Sequence, residues 1–133
     1  MMQVEHFNPD GLHRNPAFTQ VVAVTAPAKT IYVGGQDALD AAGNIVGAGD
    51  IAAQAEQVLR NLEAALRAAG AELKDVVKWN VYVVQGQPLM KAFEAFQRLG
   101  PRLVQPPAIT VVVVAGLANP DFLLEMDAVA VVG

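Results

Sequence analysis

Two carboxylates near the end of the chain, Glu125 and Asp127, interrupt an otherwise apolar run, Leu124-Glu125-Met126-Asp127-Ala128-Val129-Ala130. Burying an unpaired carboxylate is expensive, so acids in such a setting need a hydrogen-bonding partner or a task. A carboxylate beside a bound molecule can orient water and move its proton as a general acid or base. Asp127 shares a strand face with Glu125 by the period of two, which makes a coupled pair conceivable; its plainer reading is structural. The remaining inventory narrows the chemistry by exclusion. The chain has no Cys and no Ser, which removes Ser-His-Asp and Cys-His catalysis, disulfides and Cys-type zinc sites. The aliphatic hydroxyls are Thr19, Thr25, Thr30 and Thr110, and no base stands beside Thr110 to activate it. His6 and His13 both lie in the N-terminal segment, too few converging ligands for a catalytic metal. No metal and no cofactor are expected.

These residues need elements to position them. Val4 to Phe7 reads as a short strand in a turn-rich opening that holds Pro9, Gly11 and Pro16. Gln20 to Val24 and Thr30 to Gly34 read as strands punctuated by Pro27-Ala28-Lys29, and a hairpin is expected between them. Asp50 is a helix N-cap. Ile51, Ala55, Val58, Leu59, Leu62, Ala65, Leu66 and Ala69 follow at helical spacing, and Gly70 ends that helix. Val76 to Val84 alternates, with Val77, Trp79, Val81 and Val83 on one face and Lys78, Asn80 and Tyr82 on the other. Pro88 starts a second helix with an apolar stripe of Leu89, Ala92, Phe93 and Phe96, ended by Gly100. Ile109 to Val114 and Phe122 to Val132 close the chain as strands. The order is β-β-α-β-α-β-β with a short strand in front, and its helices should cover one face of a mixed sheet, on the side of Trp79.

The 133 residues predict one domain, 1–133. The chain is 53% apolar and 17% charged, ample for a core and with a surplus that points to burial between subunits. The net charge is −4 with Lys and Arg scattered singly, so a nucleic-acid partner is not expected. The apolar runs are too short and interrupted to span a membrane, and no signal peptide is visible, which predicts a cytoplasmic protein.

Several segments carry a family resemblance in their order and spacing: Tyr32-Val33-Gly34-Gly35-Gln36, the Asp50 helix ending in Ala68-Ala69-Gly70, Asp75-Val76-Val77-Lys78, and Glu125-Met126-Asp127-Ala128-Val129-Ala130-Val131. Over nearly its whole length the chain resembles the Rid (YjgF, L-PSP endoribonuclease-like) family of small trimeric enamine/imine deaminases and their relatives. The resemblance implies a chorismate-mutase-like α+β fold, with two helices on one face of a mixed sheet, and a homotrimer with a small-molecule pocket between subunits. It also implies a site. In the deaminases an arginine in a Pro-Ala-Arg-Ser motif forks onto the substrate carboxylate, as guanidinium geometry favours. A tyrosine from the N-terminal loop, a serine before a Gly-Gln pair and a late glutamate complete it. Here the glutamate is kept as Glu125 and the Gly-Gln pair as Gly35-Gln36. The tyrosine position holds Phe18, the serine position Gly34 and the arginine position Ala108, with Thr110 two residues further on; an asparagine on the second helix becomes Met90. The chain therefore reads as a divergent member lacking the deaminase arginine, unless Arg14 or Arg102 reaches in. Glu125 is the candidate catalytic residue, and Phe18, Gly34, Gly35, Gln36, Ala108 and Thr110 are candidate ligand-binding residues. Two functions stay open: hydrolysis of an enamine, imine or similar small metabolite other than the usual amino-acid-derived imines, and non-catalytic ligand binding or interaction on the same trimeric scaffold.

Overall fold

A computed structural model describes residues 1–99 and 105–133. Its elements are β1 (Gln3–Phe7), β2 (Val21–Thr25), β3 (Lys29–Gln36), α1 (Ile51–Ala68), a 3-10 turn at Leu73–Asp75, β4 (Val76–Val84), α2 (Leu89–Leu99), β5 (Ala108–Val114) and β6 (Leu124–Val132). The expected helix end at Gly100, and Arg102, lie outside the described residues.

α1 is bounded as its sequence dictates. The Asp50 carboxylate accepts the Ala53 N–H at 3.2 Å. At the other end Gly70 takes φ +84°, a backbone conformation that suits glycine. There Gly70 N–H reaches the Arg67 carbonyl and Ala71 N–H the Leu66 carbonyl, the paired closure that satisfies the last carbonyls. The buried stripe of α1 runs Ile51, Ala55, Val58, Leu59, Leu62 and Leu66, and it also contains a polar residue, Gln54.

The main sheet has the order β3-β6-β4-β5, with β4 and β5 parallel and the other pairs antiparallel. Ile31 and Val33 of β3, Trp79, Val81 and Val83 of β4, and Leu124, Met126, Ala128 and Ala130 of β6 form the core with α1 and with Ala92 and Ala95 of α2. Phe96 of α2 meets Trp79 edge to face at 6.0 Å between ring centroids, a geometry favoured by the ring quadrupoles. Both helices cover the Trp79 side, as the alternation predicts. The opposite face carries Tyr32, Lys78, Asn80, Tyr82, Thr110, Glu125 and Asp127 in polar array, and Tyr32 is 79% exposed there.

Two expectations fail locally. β2 pairs with β1 in a separate two-stranded sheet, while β3 pairs with β6, so the anticipated β2–β3 hairpin does not form. Ala26, at φ +51°, turns the chain between the two strands, and Ala28 N–H already bonds the Val132 carbonyl, so β3 enters along β6. That pairing puts Ile31 and Val33 beneath α1, where their burial decides the outcome. In β4 the register shifts between Val76 and Lys78, which face Ala130 and Val129 in turn. Val77 is thus the extra residue of a bulge, and Val76, not Val77, joins Trp79 in the core.

Candidate active site

The site grows from the Gly-Gly pair. Along β3 the partners on β6 are Ala128 for Val33 and Met126 for Gln36. Three steps on β3 therefore oppose two on β6, and Gly34-Gly35 is the bulge. Gln36 Nε2 closes it by donating to the Gly34 carbonyl at 3.1 Å. Gly35 is required by what lies on it. A Cβ there would stand 2.7 Å from Glu125 Oε2 and 2.8 Å from its Cδ, whereas a Cβ at Gly34 would meet nothing within 4 Å.

Glu125 is set by β6, opposite Tyr82 on β4. Its strand is anchored by Gln54, which is 0% exposed. The Gln54 amide donates to the Asp121 carbonyl at 3.0 Å and the Gly47 carbonyl at 3.2 Å, and its oxygen accepts the Leu123 N–H at 2.9 Å. α1 thus holds the chain two residues before Glu125. A second acid follows the bulge. Asp37 is half-buried, its backbone carbonyl accepts the Asn61 amide at 2.9 Å, and its carboxyl hydrogen-bonds to that of Glu125. Burial foremost, then that bond, then the charge of Glu125 push the Asp37 carboxyl up to about 7. Asp37 Oδ1 is buried with no hydrogen-bond partner.

Asp127 behaves differently. Asn80 Nδ2 donates to one of its oxygens at 2.8 Å and the Tyr82 hydroxyl to the other at 3.3 Å. Its partners make it a structural acceptor, and its charge raises the Tyr82 phenol above its ordinary range, with lesser contributions from burial, their hydrogen bond and Glu125.

Phe18, Ala108 and Thr110 lie elsewhere. Thr19 is buried, with its N–H on the Pro107 carbonyl at 3.0 Å and its hydroxyl on the Pro106 carbonyl at 2.6 Å. These bonds bring Phe18 to the segment entering β5. Ala108 opens β5 opposite Lys78, and the Lys78 ammonium donates to the Thr110 hydroxyl at 2.7 Å. A cavity of about 320 Å³ beside them is lined by His6, Asn8, Arg14, Phe18, Gln105 and Pro106, among others. Arg14 bonds the Asn8 carbonyl at 2.9 Å within it. β3 and β5 are opposite edges of the sheet, three strand spacings or about 14 Å apart. Within one chain, then, Gly34, Gly35, Gln36 and Glu125 form one group and Phe18, Ala108 and Thr110 another. Glu125 lies against Gly35, and within the same chain Thr110 stands two strands away on β5. Met90 is exposed on α2, in the helical layer. No group of three or more metal-ligating side chains occurs among the described residues, and none of their helices is long and apolar enough to cross a membrane.

Sequence reasoning missed Asp37 and Gln54. The signal for Asp37 was an acid directly after Gly-Gly-Gln; for Gln54 it was a polar residue at a position of the apolar stripe.

Comparison with known proteins agrees with this architecture. The family model for endoribonuclease L-PSP matches residues 12–132. A RutC family protein of Pyrococcus abyssi is 36% identical over 100 residues, 75% of this chain and 76% of that one. The 3-aminoacrylate deaminase RutC of Acinetobacter baylyi is 32% identical over 115 residues, 86% of this chain and 89% of that one. The crystal structure of the Rid-family protein YyfB from Yersinia pestis has a TM-score of 0.86 at 34% identity, covering 97% of this chain and 98% of that one. With the sheet order, the glycine bulge and the acid against it, these matches establish that the chain belongs to the Rid (YjgF, endoribonuclease L-PSP) family.

Proposed function

We propose that this chain is a small-metabolite hydrolase of the imine/enamine deaminase type, working in the cytoplasm as a homotrimer with its pocket between subunits. One observation carries the reading: Glu125 lies against the bare backbone of Gly35 on the uncovered sheet face, without a cation to neutralise it among the described residues. An acid so placed can hold water for attack on a C=N carbon. Overall, an imine and one water become a carbonyl compound and ammonia. The separation of the two residue groups, one on β3 and β6 and the other at the β5 edge, supports the trimer, because a second copy can bring its Phe18, Ala108 and Thr110 to Glu125.

The substrate differs from the usual one. Ala108 cannot make the charge-assisted fork to a carboxylate, a loss of about 1.5–3 kcal/mol, or about ten- to hundredfold in affinity. Phe18 and Ala108 suit a less charged, more apolar imine. The same apolar replacements, with Gly34, also favour a second reading as a non-catalytic binder on this scaffold.

A panel of imines generated in situ, with ammonia or ketone release as the readout, separates the two. Turnover of an uncharged imine, lost in Glu125→Gln, is expected, with 2-iminopropanoate turned over poorly and improved by Ala108→Arg. Equal rates for native protein and Glu125→Gln across the panel would leave the binding reading. Native turnover of 2-iminopropanoate that falls in Arg14→Ala would assign the carboxylate contact to Arg14.

A further inference from the structure

We propose that Asp37 is a positioning residue for Glu125: the two carboxyls share one proton across the glycine bulge, keeping a proton donor and a proton acceptor together in the site. The proposal rests on the reading of Glu125 as the acid that holds water.

The geometry requires the sharing. An ionised carboxylate only accepts hydrogen bonds, so two carboxyls bonded to each other need a proton between them. Gln36 pairs with Met126 in the antiparallel register, which sets Asp37 across from Glu125 on the neighbouring strand, and their carboxyls are so bonded. The missing side chain of Gly35 leaves the space that the Glu125 carboxyl fills. The other Asp37 oxygen is buried with no partner, and a full negative charge there would be uncompensated. Among the described residues no neighbour supplies a positive charge. β4 contributes the Tyr82 phenol, β6 adds Asp127, already engaged by Asn80 and Tyr82, and α1 gives the neutral Asn61 amide to the Asp37 backbone. Among the described residues neither carboxyl has an ion-pair partner. The Asp37 carboxyl, pushed up to about 7 by burial and by the neighbouring Glu125, agrees with a proton held at this contact.

Such a pair can run both halves of imine hydrolysis. In addition, the water oxygen forms its bond to carbon as the C=N π electrons move to nitrogen. The carboxyl proton goes to that nitrogen, and the carboxylate takes the proton the water gives up, so the pair ends as it began. In collapse, the carboxylate takes the hydroxyl proton, the C=O bond forms, and the C–N bond breaks as the shared proton reaches the nitrogen leaving as ammonia. A pair with net charge −1 also repels a substrate carboxylate, in line with Ala108.

The test is a carboxyl 13C NMR titration of the native protein, Asp37→Asn and Asp37→Glu, run beside the pH profile of uncharged-imine turnover. We expect one native carboxyl titrating near 7, its loss in Asp37→Asn and its return in Asp37→Glu. In Asp37→Asn the basic limb of the pH profile should move toward acid, and Asp37→Glu should restore it. Two native carboxyls both titrating in the ordinary range would overturn the shared proton. An Asp37→Asn profile identical to the native one would overturn the positioning role. A pair titrating near 7 in a protein that turns over no imine would instead sink the hydrolase reading and leave the shared proton intact.

Discussion

Glu125 and Asp127, two residues apart on one strand, meet opposite fates because of what faces them. Asp127 is answered by an amide and a phenol; Glu125 is answered by another acid. The difference has a consequence for stability. Unfolded, Asp37 ionises near 3.8; folded, it keeps its proton to about 7. Between those values the folded chain binds the extra proton, so this group's contribution to stability is fully present below about 4, is lost as pH rises toward 7 and is level above it. Asp37→Asn removes the titration. Thermal unfolding of both proteins from pH 4 to 8 should show the native midpoint falling with pH relative to that of Asp37→Asn. A difference between the two that does not change with pH would contradict the raised carboxyl. That Glu125 and Gly35 come together could be read in sequence because the spacing of the Gly-Gly-Gln turn and the last strand is itself a pattern. Asp37 could not, because its chemistry depends on a contact with a residue far along the chain.

At the scale of elements, alternation and helical spacing foretold both helices, the face they cover and the outward side of Glu125. They misjudged strand partners and one register. Pairing is decided by which strand can place Ile31 and Val33 under α1, a property of the assembled layers. A single extra residue, Val77, reverses the parity that a regular strand would have. The buried Gln54 shows how one polar side chain couples layers: it joins α1 to the loop entering β6. Gln54→Leu keeps the volume but leaves the Leu123 N–H and the Asp121 carbonyl without partners. We expect a loss of about 1–3 kcal/mol by urea denaturation, with the protein still folded and Glu125-dependent turnover reduced. Unchanged stability would mean that the loop finds other partners.

At the scale of the molecule, one chain carries the Glu125 group on β3 and β6 and the Phe18, Ala108 and Thr110 group at the β5 edge, and the proposed pocket would draw one group from each of two copies. Composition hinted at this through its apolar surplus, and the family resemblance implied the three-fold answer. A homotrimer is therefore expected by light scattering at micromolar concentration; a monomer mass would remove the shared pocket along with the assembly.

β5 pairs on one side only, and from Thr110 to Val113 its side chains are exposed in the single chain, with Val113 at 55%. Ala-Ile-Thr-Val-Val-Val-Val has high strand propensity and no charge, proline or glycine to deter another strand. An open edge of this composition is a template for aggregation. The same valines that complete the fold thus make colloidal stability depend on what shields that edge, and a charged gatekeeper at Val113 would trade assembly for solubility.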